Sequence, residues 1–561
     1  MSGTLDPHRA MLDDLQLSHI TDDRSRELIV RLLNLVEDLS ADLRTAQAEI
    51  QRLRDENNRL KGEQGKPTIQ PARPADPPAP PDHSSERERH RPTTWTKGRK
   101  LNQISLDREQ VLQVDPATLP PDAEFKGYEP VVVQDLRLQT DNVRFLKEKF
   151  YSATERRTYL ADLPAGYRGE FGPGIRALVL VFYFACQMTE PKIVELFHNL
   201  GVQISDGQLS NLLIKDQDRF HAEKDAVYAA GLRSSPWQHL DDTTTRVNGQ
   251  NHHCHIVCNP LHTTYHTTPA KDRLPIIDVL CNGQPRIFRL DDDALAYLDA
   301  LGISQVRRQQ LLHFPRDQTL DEPTVLRLLD EQLPGVGVQT RKWILEALAV
   351  SAYHAQSAVP VVHLLVCDDA PQFHWVTDDL ALCWVHEGRH YKKLMPWVAL
   401  HREQLDAFLK DFWIYYHDLR RYQTQPTPAE RTRLETAFDT LFATRTGYGA
   451  LDERIVLTRA KKAQLLQVLA HPEIPLHNNP AELGARQRVR KRDVSFGPRT
   501  AAGSKAWDTF QSLAATTKKL GVSFYHYIHD RVSEANQVPA LADLIDERAQ
   551  DLKLAASWTV A

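Results

Sequence analysis

Trp237–Pro260, WQHLDDTTTRVNGQNHHCHIVCNP, is the stretch on which the reading of the fold turns. Asn248-Gly249 is the strongest short hairpin signal a sequence offers, because a two-residue turn needs positive φ at both positions. Trp237–Val247 precedes it and Asn251–Asn259 follows, both rich in strand-compatible Thr, Val and His, and His262–Thr268 extends the meander. Asp241 falls inside the first expected strand, next to Asp242. A carboxylate on a central strand is costly unless something compensates it. A strand end facing water is one reading, and it suits Asp242. A metal ligand is the other, and it requires further carboxylates arriving at the same place.

Two more acids stand in suggestive contexts. Val359–Cys367, VPVVHLLVC, is a continuous apolar run of strand length that ends on Asp368-Asp369. Such runs belong to buried strands, and α/β folds place ligands at their carboxyl ends. His477-Asn478-Asn479-Pro480-Ala481-Glu482 opens a helix, with Asn479 as N-cap and Glu482 third in the helix. Glu482 is then either a ligand or the closing member of a capping box. Strand meander, strand, helix is the order in which ribonuclease-H-like folds present their acids. Three carboxylates around paired Mg²⁺ ions suit in-line phosphoryl transfer, since hard cations prefer oxygen.

The whole chain bounds the alternatives. Its 561 residues, 41% hydrophobic and 25% charged, allow several domains of ordinary globular composition. No apolar run reaches the length of a membrane span, and the start of the sequence has no signal-peptide pattern, so a cytoplasmic protein is expected. Six scattered cysteines do not make a disulfide framework. Cys254 and Cys258 lie roughly 13 Å apart on a strand, too far to share one zinc ion. The net charge is −5, so a nucleic-acid partner must meet local basic patches. Arg87–Lys100, with Trp95 inside, is one, readable as a phosphate contact or a solvated tail. The stronger is Arg486, Arg488, Arg490, Lys491 and Arg492, one turn and more beyond Glu482.

The remaining segments set the organisation. Residues 25–62 carry a heptad with Ile29, Val36, Leu43, Ile50 and Asn57 at a and Leu32, Leu39, Ala46, Leu53 and Leu60 at d. This pattern favours a parallel dimeric coiled coil over a helix packed on its own chain. Residues 63–100 read as a disordered Pro-rich basic linker. Residues 101–175 hold a β-rich piece at Glu129–Phe150. Thr189–Leu200, a Gly201 turn and a second helix capped by Ser205 and Gln208 resemble a helix-turn-helix, equally readable as plain helix packing. Helical patterns recur through 270–357 and 380–470. His386 and Arg389, three apart on one helical face, either position DNA, brace the acids or pack. Ser504–Leu520 and Val522–Val532 complete the helices, and 536–561 reads as a tail.

Five stretches carry a resemblance: Leu240–Gly249 (LDDTTTRVNG), Leu364–Phe373 (LLVCDDAPQF), Cys-Trp-x-His-x-x-Arg at 383–389, Ile474–Gly497 (IPLHNNPAELGARQRVRKRDVSFG), and Phe510–Asp530. With these the chain resembles the DDE transposases of the insertion-sequence sixty-six family across about 180–550. The resemblance implies an α/β fold. A ribonuclease-H-like catalytic core with helical insertions would follow an N-terminal coiled coil and a mixed DNA-binding region. It implies catalytic and metal-binding roles for Asp241, Asp368 and Glu482, with Asp369 the runner-up for the second acid. The chain departs from the family in having no cysteine in 101–175, where a zinc-binding segment is usual, and Asp242 rather than Glu after Asp241. No zinc is therefore expected.

The resulting reading is a mobile-element transposase that performs Mg²⁺-dependent strand cleavage and transfer, with Mn²⁺ as substitute. Its expected partners are double-stranded DNA, both element ends and target, and further copies of itself through the coiled coil. DNA contacts are expected from Arg486, Arg488, Arg490, Lys491, Arg492, His386 and Arg389. A structure-selective nuclease on the same fold and a non-enzymatic DNA-binding or assembly protein are the rivals. Because three ionised carboxylates repel one another, Glu482→Gln is expected to leave metal-free stability unchanged or slightly raised.

Overall fold

A computed structural model of the chain describes residues 20–60, 104–136 and 138–558. The Pro-rich linker and the basic stretch Arg87–Lys100 lie outside the described residues. The hairpin forms where its turn residues place it. Asn248 and Gly249 take φ of 51° and 75° between β1 (Trp237–Val247) and β2 (Gln250–Cys258). Asp241 faces Ile256 across the antiparallel pair. β3 (Thr263–Thr268) continues the meander, and two later segments, β4 (Leu364–Cys367) and β5 (Asp379–Leu382), join the other side of β1. The order is β3-β2-β1-β4-β5, antiparallel across the meander and parallel from β1 to β4 to β5. The result is a mixed α/β architecture with a mixed sheet.

A parallel joint needs a long crossover. Here the segment between β3 and β4 is a helical body with its own core of Phe288, Leu298, Val325, Leu329, Ile344 and Leu348. The run Val359–Cys367 pairs as a strand only over its last four residues. β5 leaves no clear mark in the sequence, because a four-residue strand has almost no periodicity to read.

The helices that frame the sheet are α1 (Asp23–Leu60), α2 (Asp218–Arg233), α3 (Trp384–Lys392), α4 (Ala399–Thr424), α5 (Asn479–Ser495), α6 (Ala501–Lys519) and α7 (Leu541–Leu552). α5 lies tightly against the sheet because Gly484 has no Cβ, which would come within 2.7 Å of the Ile256 side chain. α6 covers the outer edge of β3 with a polar ladder. Asp508, Ser512 and Thr516, spaced four apart on one helical face, accept the backbone N–H groups of Thr267, Tyr265 and Thr263 at 2.7, 2.9 and 3.2 Å. An edge that would otherwise template further strands is thereby satisfied.

The helix pair before the sheet forms as expected, Glu190–Asn199 and Asp206–Ile214, with Gly201 at φ 82° and the Ser205–Gln208 capping box present. Two other expectations are corrected. Among the described residues of 129–148 no strand pairs, and the ladder is a short hairpin, Lys149–Ser152 with Arg157–Leu160. The supposed tail is packed: Leu541 and Ile545 are buried, Arg233 pairs with Asp546, and the Trp237 indole N–H donates to the Leu554 carbonyl. α1 also docks on its own chain along one face. Glu37, buried, accepts from the backbone N–H groups of Trp397 and Val398 at the start of α4, and lies 3.2 Å from His401 Nδ1. Asn34 bonds Gly447 and Gly449, and Leu33 is buried. These contacts use the b, e and f positions of the heptad, so Leu32, Leu39, Leu43, Ile50 and Leu53 of the a/d seam stay exposed.

The Glu37 carboxylate caps α4 as an anion at a helix N-terminus. Glu37→Ala is expected to destabilise the protein by about 1.5–3 kcal/mol, the value of hydrogen bonds to a charged group. Thermal melts should show the loss, and hydrogen exchange should quicken at Trp397–His401.

Candidate active site

The parallel joint decides which side chains meet. Trp237, Gln238 and His239 of β1 pair with Leu364, Leu365 and Val366 of β4. Two residues further along each strand, the same register sets Asp368 beside Asp241, with neighbouring strands about 4.8 Å apart. Cys383 follows β5 at the same carboxyl edge and caps the N-terminus of α3. Glu482 comes from the first turn of α5, whose start is fixed on β1 by Asn478. That side chain lies 3.0 Å from His239 Nδ1 and donates to the Leu240 carbonyl at 2.8 Å.

Asn478, not Asn479, is therefore the N-cap, and its side chain is taken by β1 rather than by the helix. The capping-box reading of Glu482 fails on this geometry. The Glu482 carboxylate instead faces α3, where Arg389 donates at 3.2 and 3.4 Å and His386 Nδ1 lies 3.4 Å away.

The acids are electrically unequal. Burial, then the neighbouring Asp368 and more weakly Glu482, push the Asp241 carboxyl up to about 7, against the relief of one backbone N–H from Asp242. Burial raises Asp368 as well, partly offset by the charge of His386 and the Ala370 N–H. Glu482 behaves oppositely: burial pushes it up, but His386 and Arg389 hold it down at about 2. The close Cys383 sulfur, then the Glu482 carboxylate, raise His386 to about 10 against the effect of burial. Asp369, the alternative second acid, turns to Lys461 at 2.6 Å and His374 at 3.1 Å, which hold it at about 2 despite burial. Asp242 is half-buried rather than directed to water, and accepts from Gln372 at 2.8 Å.

The basic run divides by face. Arg488 is 1% exposed, ion-paired with Asp508 and set over the rings of Tyr265 and Trp507. Lys491 is fully buried, its ammonium 3.3 Å from the Tyr183 ring centre, and burial lowers it to about 7. The expectation that these two meet phosphates is corrected: both are interior cations under aromatic faces. Arg490 is exposed and Arg486 half-exposed, on the face of α5 that continues from Glu482. Arg492 donates to the Thr244 carbonyl at 2.6 Å. His386 and Arg389 both touch the acid, as the bracing alternative expects, and each keeps about a third of its side chain exposed. Cys383 stands beside them, a site residue that the sequence reading missed. Its signal was the Cys-x-x-His spacing ahead of a helix.

The two ends of this acid set should titrate with opposite sign. A carboxyl raised on folding makes the native state hold its proton between pH 4 and 7, so stability falls as pH rises through that window. Metal-free Asp241→Asn is expected to be more stable than the parent by about 1–4 kcal/mol at pH 8, and no more stable below about pH 4. Glu482, depressed on folding, contributes above pH 4.5, and that contribution is lost as pH falls toward 2. Glu482→Gln should therefore destabilise at pH 8, by on the order of 1 kcal/mol after solvent screening, contrary to the sequence expectation. Chelator-treated melts across pH check both signs.

Residues 168–283 match a family model described as Transposase IS66 family. That span contains β1 to β3 and Asp241, and ends before Asp368 and Glu482. The chain is also similar to y4jO, an uncharacterized protein of Sinorhizobium fredii (strain NBRC 101917 / NGR234), at 32% identity over 331 residues. The match covers 57% of this chain and 99% of that protein. No solved structure matches. Together with the acid-bearing sheet edge, these likenesses identify the chain as a member of the IS66 family of transposases.

Proposed function

We propose that this chain is a DDE transposase with a ribonuclease-H-like core, cleaving and joining DNA strands with a divalent metal. The observation that carries the reading is the convergence of Asp241, Asp368 and Glu482 at one sheet edge, close enough for the first to feel the other two. A carboxyl pushed up first by burial and then by the charge of neighbouring acids marks a place where added positive charge is favourable, which fits a hard cation. Asp241, Asp368 and Glu482 would hold Mg²⁺, or Mn²⁺ in its place. Bound there, the ion supplies Lewis-acid neutralisation of the phosphate at which water, and later a 3′-hydroxyl, attacks.

The chain's own residues do the rest. Arg389 and His386 brace Glu482 in its ionised form, so that it is ready as a ligand. Arg486 and Arg490 run along α5 away from Glu482 and meet the phosphates of the strand leading to the acids. Lys461 and His374 hold Asp369 away, which favours Asp368 as the second acid. The exposed a/d seam of α1 is proposed to pair with a second copy of the chain, while the opposite face stays docked on α4. Two catalytic edges are then carried on one coiled coil, as end pairing requires.

Asp241→Asn, Asp368→Asn and Glu482→Gln should each lower Mg²⁺-dependent cutting of element ends by at least about 100-fold while DNA binding persists. Asp369→Asn should retain cutting. A Glu482→Gln protein that cuts at the parent rate would overturn the assignment. Arg490→Ala with Arg486→Ala should weaken binding to all sequences and flatten its salt dependence by about 0.9 log units for each phosphate no longer neutralised. Arg488→Ala should instead lower the melting temperature by removing the ion-pair partner of the half-buried Asp508.

A further inference from the structure

Next to the proposed acid site lies a donor set of different chemistry. Cys383, His386 and Glu482 each present one ligand atom, and all three atoms fall within 4.8 Å of one another. Cys383 is 2% exposed, and its sulfur accepts two backbone N–H groups, from His386 at 3.4 Å and Asn478 at 3.3 Å. His386 Nδ1 is buried against Glu482 yet makes no hydrogen bond of good geometry among the described residues. A tetrahedral ion with ordinary Zn–S, Zn–N and Zn–O bonds needs its ligand atoms about 3.3–3.6 Å apart, so shifts of about an ångström or less close the set.

The geometry points to a zinc site at Cys383, His386 and Glu482, with a fourth position left open. Thiolate, imidazole and carboxylate together select Zn²⁺ over Mg²⁺, whereas the aspartates beside them select the reverse. The strand cysteines Cys254 and Cys258 cannot make such a site: both are buried in the apolar layer under α5 with Ile256 and Tyr265. Helix geometry explains why 383 and 386 can. An N-cap residue and the third helical residue project to the same side of the first turn. Zinc seated there holds Glu482 toward α3 and away from Asp241 and Asp368, so it acts as a brake on the Mg²⁺ reaction. The brake rests on the reading of Glu482 as a shared acid; the binding site itself does not.

The full-length protein, stripped with chelator, is titrated with Co²⁺ and Zn²⁺. We expect one ion per chain, a cobalt–thiolate absorption band, and displacement of cobalt by zinc. Cys383→Ser keeps an N-cap oxygen for α3, so it should fold while losing the band and weakening zinc binding by more than about 100-fold, beyond the loss of an outer partner. His386→Gln should weaken zinc binding likewise. Asp368→Asn should bind zinc as the parent does, whatever becomes of its cutting, which separates failure of this site from failure of the acid assignment. One equivalent of zinc should suppress Mg²⁺-dependent cutting, and chelator should restore it. Absence of the cobalt band, or unchanged zinc affinity in Cys383→Ser, would overturn the site. Zinc bound at one per chain with cutting unaffected would overturn the brake.

Discussion

The parallel contact between β1 and β4 is the constraint on which the rest of the site depends. It joins residues 237–239 to 364–366, segments separated by a whole helical body, and it is only three residue pairs long. Those pairs are enough because both strands are fully buried there, so a slip by one residue would turn every side chain to the opposite face. Fixing the register also fixes where two aspartates emerge, side by side at the carboxyl edge. The helical body between β3 and β4 closes this crossover and keeps its own core, so its size does not load the sheet.

The edge collects charge of both signs and sorts it. Asp369 and Glu482 are matched with polar partners from elements outside the sheet, Lys461 and His374 for one, Arg389 and His386 for the other. Asp241 and Asp368 each receive a backbone N–H, and Asp368 also the more distant field of His386. The two populations differ by about five pKa units between Asp241 and Glu482, and that difference gives each acid a distinct readiness for a cation. Buried cations serve a different purpose on the far side of α5. Arg488 and Lys491 sit under Tyr265, Trp507 and Tyr183, tying the helix that carries Glu482 to β3 and to the helices behind it.

How much of this was legible in the sequence follows from which signals are local. The hairpin at Asn248-Gly249, the capping box at Ser205 and the helices around 292–355 and 501–532 depend on neighbours a few residues away, and they read correctly. Asp368 and Glu482 stood out because one follows a strand and the other opens a helix, and Asp241 because it interrupts a strand with a carboxylate. What the sequence hid was long-range. Nothing around Arg488 distinguishes a cation bound for Asp508 from one bound for phosphate, since the run RQRVRKR looks uniformly basic. The heptad of α1 named its free seam but not the opposite face, because Asn34 and Glu37 read as ordinary polar positions until α4 supplies their partners. The pairing of Glu482 with Arg389 spans 93 residues, and only the fold brings them together.

The central claim is that the edge of β1 and β4 holds a divalent cation. The most direct measurement is an anomalous difference map from crystals of the full chain soaked in Mn²⁺. The account predicts a peak about 2.1 Å from carboxylate oxygens of both Asp241 and Asp368, with Glu482 drawn toward it. A map with no manganese between those two aspartates, or with manganese only at Asp369 and His374, would contradict it.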